Sequence, residues 1–366
     1  MARRRAICPP PSPPRNSSGR PWRPSNSFYR AHNNPHLSPK GVLSGSKQTA
    51  RLLVCSPASP RRCPKPDRFY LLPGGHTKGS TIKEGCVRNM QGQKGFEGWY
   101  FKHQKGDSMV AFIPGRAQSG GFVQMISQKG ARQFAVSRVT IKDGIIRADQ
   151  CRFSKQGCRI RLPGVSAEIR YGPFAPLGSD IMGPFRFFPM ECRHGVLSMA
   201  HRLRGSITVD GERYDFDGGL GYAEKDSGTS FPRSYLWVQC NDFPAPCSLM
   251  LSIARVPFCG AAFRGCICAI LYRGKEYRLA TYRGVRIRVF TPEHIRLSQG
   301  DLTLELNLTP THAGHPLRAP QRGTMSNTIR ESCNAHLEAR LTKNGKTVFH
   351  LQSGHAVYEF VPDPRR

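Results

Sequence analysis

The chain has 366 residues, enough for one large domain or two smaller ones, and 55 Lys+Arg against 24 Asp+Glu give it a net charge of +31. No apolar run reaches the roughly 18 residues that a membrane-spanning helix needs, which excludes a helical span. Thirteen cysteines without a Cys-x-x-Cys pair exclude a zinc ribbon or a dithiol redox motif, and they suit a reducing compartment.

Residues 1–66 hold 13 Lys+Arg, 13 of the 30 prolines and no Asp or Glu. Such a segment has too little apolar surface to offset its ordering entropy, so residues 1–89 are expected to be a disordered basic extension ahead of Met90. Its Arg- and Ser-rich, acid-free composition also matches an organelle transit peptide, although its proline density opposes an amphipathic helix. The other 300 residues still carry 42 basic against 24 acidic groups. That excess suits an anionic membrane surface or an acidic ligand. The lack of an aromatic-basic RNA motif argues against nucleic acid. The placement expected is cytoplasmic or membrane-peripheral, or plastidial if the leading segment is a transit peptide.

From Gly95 onward the pattern is β-structure. Phe96–Lys102, Met109–Pro114 and Gly121–Ile126 are short apolar runs parted by glycine or charged turns. Asp143-Gly144, Asp210-Gly211, Arg273-Gly274 and Asn344-Gly345 mark two-residue hairpins, whose central residues need positive φ. Val196–Val209 and Lys275–Val289 read as extended, and Leu302, Leu304, Leu306 and Leu308 alternate with polar residues as in a half-buried strand. Thr324–Ala339 is read as a segment that could hold a short helix. The sum is an all-β protein: two antiparallel β-barrel or sandwich halves after the N-terminal extension. Gly98–Gln104 leading into Ser108–Ile113 is echoed by Leu236–Asn241 leading into Ser248–Ile253. This puts a first half at 90–215, a second at 216–362, and a boundary near 212–220.

Gly218–Asn241 is the densest stretch of candidate chemistry. Glu224 and Asp226 are i and i+2, so an extended backbone turns both to one face and Lys225 to the other. Acid is scarce in this chain, so two carboxylates on one face stand out. A solvated charge cluster is the plainer alternative. Cys192 and His194, with His201 seven residues further on, come nearest to metal-ligand spacing; thiols in apolar strands are core filler, and no metal is expected.

Four motifs together carry a resemblance: Phe96-Glu97-Gly98-Trp99-Tyr100-Phe101-Lys102; Ser179-Asp180-Ile181-Met182-Gly183-Pro184-Phe185; Gly221-Tyr222-Ala223-Glu224-Lys225-Asp226 with Gly228-Thr229-Ser230-Phe231-Pro232; and Trp237-Val238-Gln239-Cys240-Asn241. Over about 95–361 the chain resembles the tocopherol cyclase family, which is similar to the lipocalin-like carotenoid hydratases. The family pattern has tryptophan after Glu-Lys-Asp, where this chain has Ser227. The resemblance implies an isomerase that closes a prenylated hydroquinone to a chromanol. An acid protonates the nearest alkene, and the phenol oxygen captures the carbocation. The implied partner is a hydrophobic prenylquinol or isoprenoid, and no cofactor or metal is implied.

That chemistry needs a carboxylic acid that stays protonated, which like-charge crowding and apolar burial favour. Asp226 is the first candidate acid, Glu224 the second and Glu97 the third. A salt bridge from Glu97 to Lys102 or an arginine is the alternative. Trp99, Tyr100, Tyr222 and Trp237 are candidates to line the cavity and face the cation, each worth roughly 0.5–2 kcal/mol in a good contact; plain core packing is their alternative. Asp180 or His194 is a candidate to contact the substrate and take the phenol proton, with a structural ion pair as the alternative. His201 reads as a satisfied core histidine. A non-catalytic lipid-binding protein on the same fold is the competing function.

Overall fold

Backbone hydrogen bonding divides the molecule into two antiparallel sheets, traversed one after the other. The computed structural model describes residues 95–258 and 261–363, so the expected extension 1–89 lies outside the described residues. The first sheet has twelve strands, from Phe96–Lys105 to Leu220–Gly228; the second has ten, from Tyr235–Cys240 to Lys346–Val361. No α-helix occurs among the described residues; two short 3-10 turns, Gly183–Phe187 and Thr281–Arg283, are the helical elements.

The two sheets repeat one plan. In each, the opening strand lies in the interior, flanked by the next strand of its half and by the last. Phe96–Lys105 pairs with Ser108–Ala117 and Leu220–Gly228. Tyr235–Cys240 pairs with Cys247–Phe258 and Lys346–Val361. The sequence echo between Gly98–Gln104 and Leu236–Asn241 therefore marks equivalent strands. The chain changes sheets between Gly228 and Tyr235. This is later than the boundary read from the sequence, because Leu220–Gly228 is hydrogen-bonded on both edges within the first sheet.

The four hairpin signals behave as their chemistry requires. Asp143, Asp210, Arg273 and Asn344 have φ between 48° and 53°, and the glycine after each is also positive. Thr324–Lys343 is a long strand instead of the short helix considered above. Its alternation, with Ile329, Glu331 and Cys333 buried, is the period of two that a strand shows, which outweighs local helix propensity.

Each sheet curls around its own core. Strand Gly120–Ser127 approaches Ile145–Ala148 in the first, and Lys275–Ala280 approaches His294–Gln299 in the second. Phe101, Phe112, Phe153 and Ile160 fill the first core; Leu236, Val238, Leu251 and Leu297 fill the second. A third apolar cluster joins the sheets and includes Tyr100, Met109, Tyr222, Tyr235 and Trp237. The two opening strands are buried on both faces. Phe101 points into the first core while Tyr100 joins the seam; Leu236 and Val238 point into the second core while Tyr235 and Trp237 join the seam. Tyr100 and Trp237 meet edge to face with centroids 5.6 Å apart, a contact worth about 0.5–1.5 kcal/mol beyond burial.

Candidate active site

A cavity of about 190 Å³ opens in this seam, with walls drawn from both sheets. Trp99, Tyr100, Phe231 and Trp237 give it aromatic walls, and Met182 and Phe185 contribute from the loop that carries the first 3-10 turn. Into this apolar surround project His194, Glu224 and Asp226 from the first sheet, and Glu331 and Glu359 from the second.

The first-sheet group follows from strand register. His194 is the cross-strand partner of Asp226, and Tyr100 is the partner of Glu224. His194 Nδ1 lies 2.9 Å from Asp226 Oδ1, and Nε2 lies 3.4 Å from Glu224 Oε2. Tyr222 donates its hydroxyl to Glu224 Oε2 at 2.5 Å. Burial alone would lower His194, but Glu224 and Asp226 outweigh it and raise the imidazole to about 9. Burial raises Glu224 to about 7; His194 and the Tyr222 hydroxyl oppose the rise and Asp226 adds to it. Gly228 ends this strand with φ +151°, where a Cβ would fall 2.0 Å from the Glu191 carbonyl oxygen. That close approach is open only to glycine.

The second-sheet group was not foreseen from the sequence. Glu331 and Glu359 are cross-strand partners, both almost fully buried. Tyr100 donates to Glu331 Oε1 at 2.7 Å, and Tyr235 donates to Glu359 Oε2 at 2.6 Å. The register sets the two carboxyls side by side in this apolar surround, where ionising both would crowd like charges. Glu331 Oε2 is buried without a hydrogen-bond partner. Burial, then Glu359, holds Glu331 well above the usual carboxylate range. Burial raises Glu359 to about 7 against the hydrogen bond from Tyr235.

One signal for this pair was present in the sequence. Glu359 is the lone charge in Ala356–Val361, the same pattern of acid among apolar residues that singled out Glu97. Glu331 was hidden in a segment considered able to hold a short helix.

Of the residues expected from the sequence, Trp99, Tyr100, His194, Glu224, Asp226 and Trp237 line the cavity, and Glu97, Asp180 and Tyr222 do not. Glu97 lies outside the cavity and forms the salt bridge to an arginine that was weighed as its alternative. Lys225 Nζ lies 2.5 Å from its Oε1, and Arg116 Nη2 lies 2.8 Å from Oε2. The partners of this carboxylate are not Lys102, which points into the seam and donates to Gln239 Oε1 at 2.9 Å. Asp180 shapes a turn: Oδ1 accepts the Met182 N–H at 2.8 Å, and its carbonyl accepts from buried Arg278. Tyr222 is fully buried behind Glu224, so it supports the carboxyl and does not wall the cavity. Asp226, first choice for the acid, is an acceptor here, since His194 Nδ1 and Cys192 Sγ both face its Oδ1. His201 is a core histidine, with Nδ1 on the Ser198 hydroxyl and its ring against Phe174.

His194, Glu224 and Asp226 bring ligand atoms within 4.8 Å of one another, the metal-ligand grouping found among the described residues. Both imidazole nitrogens already face carboxylates, so an ion there would have to displace a proton from the ring.

Ser227 is the partner of Glu97 and Arg193, on the face of its strand that also holds Lys225. It does not line the cavity. The departure from the family pattern thus leaves the walls unchanged.

A family model described as tocopherol cyclase-like matches residues 164–360. A rice (Oryza sativa subsp. japonica) protein named probable tocopherol cyclase, chloroplastic, is 34% identical over 142 residues, spanning 36% of this chain and 30% of the rice one. A Zea mays tocopherol cyclase, chloroplastic, is 45% identical over 58 residues, 16% of this chain and 12% of its own. The chain thus aligns with less than a third of the length of these relatives. Kievitone hydratase from Nectria haematococca resembles it at 12% identity over 73% of this chain and 89% of that one, with a TM-score of 0.42. On the family match the chain belongs to the tocopherol cyclase-like family.

Proposed function

We propose that this chain closes a prenylated hydroquinone to a chromanol in the seam cavity, a net isomerisation. A carboxylic acid gives its proton to the prenyl alkene nearest the ring, and the tertiary carbocation is captured by the phenol oxygen. The C–O bond forms as the phenol O–H gives up its proton, so atoms and electrons balance without a redox partner. The observation that carries this reading is the aromatic-walled cavity with buried carboxyls entering from both sheets. Low-dielectric walls keep an acid protonated near neutrality, and ring faces stabilise positive charge.

Within this reading, Asp226, held by His194 on the first sheet, accepts the phenol proton, with Glu224 beside it. Tyr100 and Trp237 face the prenyl cation, and Trp99 backs the wall from the other side of its strand. The substrate class fits the relatives named tocopherol cyclase, and their chloroplastic naming fits a plastid location. No helix among the described residues is long and apolar enough to cross a membrane. Peripheral contact with an anionic lipid surface fits Phe187, which is exposed with the Arg186 guanidinium over its ring.

The test is incubation of the purified protein with a short-chain prenyl benzoquinol, with mass spectrometry for the chromanol. Chromanol is expected from the wild type, and the Glu224→Gln, Asp226→Asn double variant should lose most of it. An unmodified quinol retained in native mass spectrometry would mark a carrier instead. Full activity in the double variant would remove the first-sheet group from the mechanism.

A further inference from the structure

The internal duplication of the fold sets two cross-strand pairs in equivalent places. His194 lies on the strand that pairs with the last strand of the first half, opposite Asp226; Glu331 lies on the strand that pairs with the last strand of the second half, opposite Glu359. All four side chains line the same cavity. The pairs differ in what they hold. The first joins an imidazole to a carboxylate, a combination that carries a proton and a charge on each side. The second sets two buried carboxyls side by side inside an apolar wall, where a proton is retained because ionising both would crowd like charges.

We propose that the Glu331–Glu359 pair is the proton donor to the alkene, and that the His194–Asp226 pair in the same cavity is the proton acceptor. The assignment rests on the reading of the cavity as a cyclase site, and it divides the acid and base roles between the two sheets. Three features support it. Each dyad carboxyl is fixed by a tyrosine hydroxyl, Tyr100 on Glu331 and Tyr235 on Glu359, so both carboxyls are held in place. Those hydroxyls stabilise the carboxylates left behind once the proton departs. The neighbouring Trp237 ring lines the cavity, and its buried Nε1–H has no partner, a donor that a substrate oxygen would satisfy.

The step balances. A dyad O–H bond breaks and a C–H bond forms at the alkene carbon nearer the ring. The phenol oxygen then bonds to the cationic carbon and its proton passes to Asp226. When the product leaves, the proton returns from the first-sheet group to the dyad through entering water. Like-charge crowding between two carboxylates drives that return.

Two measurements test this. Infrared difference spectroscopy on the ligand-free full chain at neutral pH should show a protonated-carboxyl band that Glu331→Gln and Glu359→Gln each remove. Persistence of the whole band in both variants would overturn a proton held on this pair. In the quinol assay, each single variant should lose about 10²-fold or more in chromanol formation. Quenching of tryptophan fluorescence by the quinol should stay close to wild type, since glutamine keeps the shape and one hydrogen bond. Wild-type rates in both folded variants, with loss confined to Glu224→Gln, would overturn the assignment and leave the cyclase reading standing. No chromanol from the wild type would overturn both.

Discussion

Glu359 stands directly across from Glu331 on the neighbouring strand, and each accepts a tyrosine hydroxyl from a different half of the molecule. Two acids in so apolar a place are stable only while protons are retained. The seam therefore stores protons that the unfolded chain would release, on these two groups and on Glu224 and His194.

That storage has a consequence for stability against pH. His194 titrates near 6.5 when unfolded and about 9 when folded. Its contribution is complete below pH 6.5 and is lost as pH rises to about 9. His103 and His201 act in the opposite sense, being held neutral to about 4 and about 3 by burial, so the readout is a difference between variants. His194→Gln is expected to have a lower urea midpoint than wild type near pH 6, with the gap narrowing toward pH 9. A constant gap would remove the charge on His194 from the account.

Glu359→Gln should act through the same linkage in a lower window. The carboxyl moves from 4.5 unfolded to about 7 folded, so its contribution is full below pH 4.5 and gone by about 7. The stability of the variant relative to wild type should improve across that interval in chemical denaturation at several pH values. No change in relative stability from pH 4.5 to 7 would contradict the retained proton.

Glu97→Gln separates structure from chemistry. It removes ion pairs to Arg116 and Lys225 that are about two-fifths and one-third exposed, so a loss of about 1 kcal/mol is expected in denaturant unfolding. Chromanol formation should persist. A large loss of activity with intact folding would restore Glu97 as an acid.

Lys102→Met addresses the seam. Burial holds this lysine below its ordinary range, and its Nζ donates to Gln239 and Asn241, 3.4 Å away in the latter case. Methionine fills the space but strands two amide oxygens, at a cost of roughly 1–3 kcal/mol in thermal or urea unfolding. An unchanged midpoint would show that the amides find other donors.

Much of this arrangement was legible in the sequence, for identifiable reasons. Alternating apolar residues and Asp-Gly or Asn-Gly turns encode strands and hairpins locally, so the all-β class and the four tight turns follow from short-range chemistry. The facing of Glu224 and Asp226 follows from a period of two. What joins residues 231 or more positions apart, such as Tyr100 and Glu331, is sheet closure and sheet docking, which no local pattern encodes. For the same reason Glu97 looked like Glu224. Both are acids in aromatic strands, and only the register with Arg116 and Lys225 tells them apart. Ser227 looked like a change to the cavity until strand alternation placed it on the other face. Ser227→Trp is accordingly expected to leave chromanol formation as it is in wild type, in the same quinol assay.

The central claim is proton delivery to an alkene inside the seam cavity, and deuterium reports it most directly. Wild-type protein turning over a prenyl benzoquinol in heavy water should give chromanol carrying one deuterium on the former alkene CH carbon, read by mass spectrometry and NMR. Chromanol without that deuterium, or quinol recovered unchanged, would contradict the account.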